Sequence, residues 1–284
     1  MSRHCHPPRT LIAAGTLLQG DDHHYPEEAP VRPVNVDAFV LDVHPVTNAQ
    51  FAAFVAATGY VTAGECDGLA VFVPADRPVD LAQPSRWWRH DPNASWRCPR
   101  GASALSNALV DHPVVGVTAT DAAAYAAWAG GRLPTEAEWE WAAGGGVELP
   151  STWPLAADGM LHANVWLGEF PWRSVRSASP GTSPVGAFPP NANGLFDMLG
   201  NVWELTSDEW SPGGSDALES PCCGSTARPA VVAKGGSYLC AANYCKRYRP
   251  AARHRQPADE ATCHIGFRCA YDMGTGARID DTHG

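Results

Sequence analysis

Glycine and proline interrupt this chain too often for long regular elements. Of 284 residues, 27 are glycine and 25 are proline. Glycine tolerates backbone angles that other residues avoid, and proline removes an amide donor, so together they cut helices and strands short. The 11 tryptophans exclude the opposite extreme, because disordered chains are poor in large aromatics. What remains is a fold of short elements and ordered loops, pinned by aromatic side chains. At roughly 150 residues per domain, the length allows one large domain or two ordinary ones.

Three segments read as helices. Thr47-Asn48-Ala49-Gln50 is a capping box, Phe51, Phe54 and Val55 follow at helical spacing, and Gly59 stops the helix. A second helix is expected from Thr120-Asp121 to Gly130-Gly131, with Tyr125 and Trp128 on one face. Thr135 to Glu138 is another capping box, leading into Trp139, Trp141 and Ala142 and ending at Gly144-Gly145-Gly146. The short apolar runs Val36–Leu41, Val114–Val117 and Val231–Ala233 read as strands. Asp76–Ser106 and Pro212–Pro229 are expected to be the least ordered stretches.

Lys plus Arg is 20 and Asp plus Glu is 30, so the formal charge is 20 − 30 = −10. This balance argues against nucleic acid and anionic membranes as general partners, although Lys246–Arg255 forms a local basic strip. The start of the chain, Met1 to Pro8, has no apolar core of a signal peptide, and no stretch of about 18 apolar residues follows. A cytoplasmic location is expected. In that reducing setting most of the nine cysteines should be free thiols. Cys240 and Cys245 sit five residues apart behind Gly235-Gly236-Ser237-Tyr238-Leu239. Residue type and spacing leave three chemistries open for them: a disulfide, a soft-metal site or a redox pair. Cys5, Cys66, Cys98, Cys222, Cys223 and Cys263 read as incidental thiols.

Longer motifs narrow this choice. They include Tyr25-Pro26-Glu27-Glu28-Ala29-Pro30, Asp111-His112-Pro113-Val114-Val115 and Gly131-Arg132-Leu133-Pro134-Thr135-Glu136-Ala137-Glu138-Trp139-Glu140. Gly200-Asn201-Val202-Trp203-Glu204, the cysteine segment and Ile265-Gly266-Phe267-Arg268-Cys269-Ala270 complete the set. The chain resembles the formylglycine-generating enzymes, or sulfatase-modifying factors, from about Ala13 to Asp272. Some of these motifs also occur in ergothioneine-pathway iron enzymes and in display domains of the wider superfamily. The paired cysteines after Gly-Gly-Ser-Tyr mark the oxidase branch.

The resemblance implies one irregular α+β domain, low in regular secondary structure and distantly C-type-lectin-like. Residues 13–273 would form it, between tails at 1–12 and 274–284. It implies oxidation of a peptidyl cysteine, in an unfolded sulfatase segment of Cys-x-Pro-x-Arg type, to Cα-formylglycine with copper(I) and molecular oxygen. Cys240 and Cys245 match the copper ligands and Ser237 the active-site serine. A soft monovalent ion suits two thiolates, and Arg247 and Arg249 would help keep them deprotonated. One calcium site maps onto Asp197, Gly200, Val202 and Glu204, a hard oxygen set. A second maps onto Asn164 and Val165, but Val175-Arg176-Ser177-Ala178-Ser179 has no carboxylate where relatives have Asp. Cys269 matches a cysteine that some relatives bridge to a helix, where this chain has Ala126, so that disulfide is not expected. Trp128, Trp139, Trp141, Trp166 and Trp203 read as core plugs, Glu138 as a cap, and Arg132 and Arg268 as loop braces.

Two departures stand close to the cysteines. Relatives carry a histidine where this chain has Ala241, and an asparagine where it has His264. Two substrate readings follow: the sulfatase-type peptide, or another peptide or small thiol handled by the same copper and oxygen chemistry. A non-catalytic lectin-like module is the reading from a different class.

Overall fold

The computed structural model describes residues 6–101, 107–144, 154, 161–177, 180–212 and 228–274. Cys5, Cys222, Cys223, Gly145, Gly146 and the C-terminal tail beyond Gly274 lie outside the described residues. The chain opens with β1 (Arg9–Ile12), β2 (Gly15–Gln19), β3 (Arg32–Val36) and β4 (Phe39–Asp42). Helices α1 (Asn48–Thr58) and α2 (Ala63–Asp67) follow, then the hairpin strands β5 (Leu69–Phe72) and β6 (Trp88–Asp91). Next come α3 (Ala119–Trp128), α4 (Glu136–Ala142), and the two-residue strands β7 (Gly168–Glu169) and β8 (Arg173–Ser174). The last strands are β9 (Trp203–Glu209), β10 (Ala230–Lys234), β11 (Arg253–Pro257), β12 (Ile265–Gly266) and β13 (Ala270–Asp272).

Each of these four α-helices starts at a threonine whose hydroxyl accepts the amide three residues on, while that residue's side chain answers the cap amide. The pairs are Thr47/Gln50, Thr62/Glu65, Thr118/Asp121 and Thr135/Glu138. The second expected helix is therefore capped by Thr118 and begins at Ala119, because Thr118 rather than Thr120 has the acid at the third position. Helix α2 has no counterpart among the expected helices. Its capping box is legible, but five residues carry no apolar period.

Two expectations on strands need correction. Val36–Leu41 is two strands, β3 and β4, with Asp37 and Ala38 between them. Val114–Val117 is no strand: the Val114 amide donates to Val46 O and the Gly116 amide to Thr262 O, two different partner segments. Gly116 also has a positive φ of 75°, which breaks extension. The boundary of the N-terminal tail moves too, since Arg9–Ile12 pair antiparallel with β4. Residues 76–101 are ordered by the β5–β6 hairpin and by Trp87 and Trp96, both buried.

A four-stranded sheet, in the order β11-β10-β9-β12, carries the chain into the cysteine segment. A second sheet runs β1-β4-β13. Helix α4 lies against the larger sheet, and buried Lys234 at the end of β10 reaches Glu140 at 2.8 Å and Glu136 at 3.4 Å. Helices α1 and α3 meet through Phe51, Phe54 and Tyr125. Trp139, Trp166 and Trp203 are buried as expected, while Trp128 and Trp141 are only partly so. The mixture of short helices and small sheets is the α+β class expected.

Candidate active site

The cysteine segment is shaped by two glycines directly after β10. Gly235 and Gly236 have φ of 92° and 77°, where a side chain is strained. A Cβ on Gly236 would stand 2.9 Å from Arg247 O, so the segment also needs its smallness. Beyond them the chain folds on itself. The Cys240 amide donates to Ser237 O at 2.9 Å, the Leu239 amide to Ser237 Oγ at 3.2 Å, and the Cys245 amide to Ala241 O at 2.9 Å. These turns bring the two sulfurs to 3.4 Å as free thiols.

Cys240 is buried and Cys245 half-buried. Burial pushes the Cys240 thiol up, and its interaction with Cys245 pushes it further. Cys245 is drawn down to about 6, first by the hydrogen bond from Cys240 and then, against its own burial, by Arg247. The pair therefore holds one proton on Cys240 and a thiolate on Cys245. The Arg247 guanidinium sits 3.9 Å from Cys245 Sγ and is held by Glu27 and by the face of Tyr25, 3.8 Å from its ring centre. Arg249 does not share this role: it pairs with Glu28 and Asp21. Arg253 pairs with Glu136. The basic strip is thus largely neutralised from within.

Both thiols open onto a cavity of about 570 Å³ lined by Ser237, Trp88, Trp203, His254, His264 and Glu260, among others. Ser237 is fully buried beside Cys240, its amide 3.4 Å from the Cys240 sulfur. His264 is bonded through Nδ1 to Thr262 Oγ1 at 2.8 Å and packs on Trp88. His254 stacks on Trp203, with ring centres 5.1 Å apart. Burial pushes both histidines down, His264 to about 3 and His254 to about 4. The two histidines are therefore neutral, and with Trp88 and Trp203 they form an aromatic part of the cavity wall. Sequence reasoning misses His254 and Trp88, since neither belongs to a motif; Trp203, expected as a plug, also faces the cavity. Ala241 does not face it: it is buried in the neighbouring cluster of Trp87, Phe170 and Tyr238.

Two members of the first calcium set, Asp197 and Glu204, are buried and close enough to influence each other. Asp197, at φ 56°, accepts the Gly186 amide at 2.7 Å, and burial with a contribution from Glu204 raises it to about 6. Glu204 is not solvent-facing. It is fully buried, bonded by Arg268 at 2.7 and 2.8 Å and by Trp139 Nε1 at 2.8 Å. Among the described residues Arg268 pairs with Glu204 alone, while Asp197 is a second buried carboxylate close enough to feel the Glu204 charge, and a hard cation would suit such a pair. The second set does not fit. Asn164 Oδ1 accepts Arg176 Nη1 at 3.2 Å, and Asn164 Nδ2 is spent on Gly181 O and Asn201 Oδ1. A guanidinium stands where a divalent ion would need an acid.

Arg132 grips Glu138 with two bonds of 2.7 Å, and Arg268 ties Glu204 to three backbone carbonyls, so both are braces. Cys269 is a buried free thiol that packs in the same core as Ala126.

Residues 2–273 match the family model described as the sulfatase-modifying factor enzyme 1-like domain. The chain is 47% identical to the formylglycine-generating enzyme of Mycobacterium tuberculosis, covering 93% of this chain and 98% of that one. The chain belongs to the formylglycine-generating enzyme family. Its Thermomonospora curvata member is 44% identical over 92% of both chains. A solved structure of PvdO from Pseudomonas aeruginosa shares the fold with a TM-score of 0.64 at 24% identity, over 95% of this chain and 96% of that chain. Among the described residues, no helix is long and apolar enough to cross a membrane.

Proposed function

We propose that this chain is a copper(I)-dependent oxidase that uses molecular oxygen to convert a cysteine of a sulfatase-type Cys-x-Pro-x-Arg segment to Cα-formylglycine. One observation carries the reading: two free thiols 3.4 Å apart on the wall of a large cavity, one of them 3.9 Å from the Arg247 guanidinium, which favours its thiolate. A structural disulfide would not need that cation, and a lectin-like module would not need those thiols. Cys240 and Cys245 would hold the copper, which supplies affinity for the substrate thiol and reactivity toward oxygen. The protein's own groups do the rest. Ser237 fixes the turn that aims Cys240, its hydroxyl accepting the Leu239 amide. Arg247 keeps Cys245 deprotonated. The aromatic wall of Trp88, Trp203 and Tyr244 excludes water around an extended peptide.

Calcium at Asp197, Gly200, Val202 and Glu204 would lock the loop that carries β9 toward the cavity. Free thiols at six described cysteines suit a reducing compartment such as the cytoplasm. A second reading concerns the substrate only. His264 on the cavity wall, where relatives have asparagine, favours another peptide or a small thiol for the same chemistry. A copper(I) titration against a competing chelator tests the centre. One tightly bound copper per chain, lost in Cys240→Ser and in Cys245→Ser, is the expected result. Equal binding by both variants and the wild type would remove the basis of the proposal.

A further inference from the structure

A smaller cavity of about 200 Å³ lies behind the cysteine segment, and several side chains that can donate hydrogen bonds line it. Arg100, Arg176, Asn164, Trp166, Thr182 and Ser183 line it, and among the described residues no Asp or Glu does. Two arginines on a wall whose described residues include no carboxylate stand out in a chain of formal charge −10. Arg176 reaches in from the rim to Asn164 Oδ1, and among the described residues it has no carboxylate partner. Arg100 Nη2 donates to Pro180 O at 3.1 Å on the same wall.

Two further polar atoms are left over. Among the described residues, the buried atoms Trp166 Nε1 and Ser183 Oγ have no hydrogen-bond partner, and Trp166 is 3% exposed. An indole N–H can only donate, so burial without an acceptor is costly to leave standing. Planar guanidiniums and stray donors around one small space form an acceptor-shaped void. Such a void suits an anion with oxygens on several sides.

We propose that this cavity binds a small tetrahedral oxyanion of the sulfate or phosphate type. The position is the one where the resemblance implied a second calcium ion, and here the Arg176 guanidinium bonds the asparagine that would have served it. The cavity also shares a wall with the thiol site. Tyr238 lines the small cavity, while Ser237, Leu239 and Cys240 line the large one, and the Trp166 amide donates to Cys240 O at 3.0 Å. An anion there holds the back of the segment whose front carries the thiols.

Calorimetric titration of the full chain with sodium sulfate, sodium phosphate and sodium acetate, at constant ionic strength in chloride, tests this. One saturable site per chain for sulfate or phosphate is expected. Whichever of the two binds more tightly names the physiological class. Binding should weaken at least tenfold in Arg176→Gln, with the circular dichroism spectrum unchanged. If Arg176→Gln does not fold, Ser183→Ala, which removes one hydroxyl, reads the same weakening on a smaller scale. No saturable heat with either tetrahedral anion, or equal affinity in the variants and the wild type, overturns the proposal. So does acetate binding as tightly as sulfate, or a calcium ion bound by the wild type and lost in Asn164→Ala.

Discussion

His264 should make this protein acid-labile in a way that a single substitution removes. An unfolded imidazole titrates near 6.5, whereas burial against Trp88 and beside His254 pushes His264 down to about 3. Between those values the unfolded chain binds a proton that the folded chain refuses, so stability falls as pH drops through 6.5. At about pH 5 the difference covers roughly 1.5 pH units at about 1.4 kcal/mol each, or about 2 kcal/mol from this residue. His254 acts in the same direction with a smaller effect, because it is more open to the cavity and water there screens it. The assay is urea unfolding of the metal-free protein at neutral pH and near pH 5, for the wild type and His264→Asn. The variant loses the Thr262 bond at every pH, so the informative quantity is the change between the two conditions. The wild type should lose about 2 kcal/mol more than the variant on acidification. Parallel losses would show that His264 is not held neutral by its surroundings.

Other consequences follow from the same geometry. In metal-free protein, iodoacetamide at neutral pH should label Cys245 well before Cys240, and the labelling rate should rise with a midpoint near the Cys245 value of about 6. Peptide mapping after short exposure reads this, and preferential labelling of Cys240 would contradict the proton assignment. Arg268→Ala leaves Glu204 buried without its cation and should cost about 3–5 kcal/mol in denaturant unfolding, against a small change for an exposed arginine such as Arg77. Gly236→Ala forces a Cβ to 2.9 Å from Arg247 O at a positive φ, so it should cost about 1–3 kcal/mol and weaken copper binding together with stability.

Much of the architecture was legible because it is local. A threonine followed three residues later by a glutamine or an acid carries its own hydrogen bonds, so the starts of α1 and α4 needed no tertiary information. The start of α3 was misplaced for the same reason: Thr118 and Thr120 look alike until the position of Asp121 is counted from each. Val114–Val117 misled because an apolar run says how buried a segment is, not what its amides pair with. At the site, the motif named Cys240, Cys245 and Ser237, yet not the groups packed around them. Arg249 stands only two residues beyond Arg247 but turns to Glu28 and Asp21, and only the packing of the Tyr25–Glu28 segment decides which arginine meets the thiolate. His254 joins the cavity through β11, which pairs with β10 across the sheet, a contact no nearby residues announce.

The central claim is that Cys240 and Cys245 carry an oxidation of a peptidyl thiol. The most direct measurement incubates copper-loaded protein in air with a synthetic Cys-x-Pro-x-Arg peptide and traps aldehyde with a hydrazide, read by mass spectrometry. Accumulating hydrazone with the wild type, and none with Cys245→Ser or without copper, is the predicted result. A peptide thiol left intact by the copper-loaded wild type, or converted equally by Cys245→Ser, would contradict it.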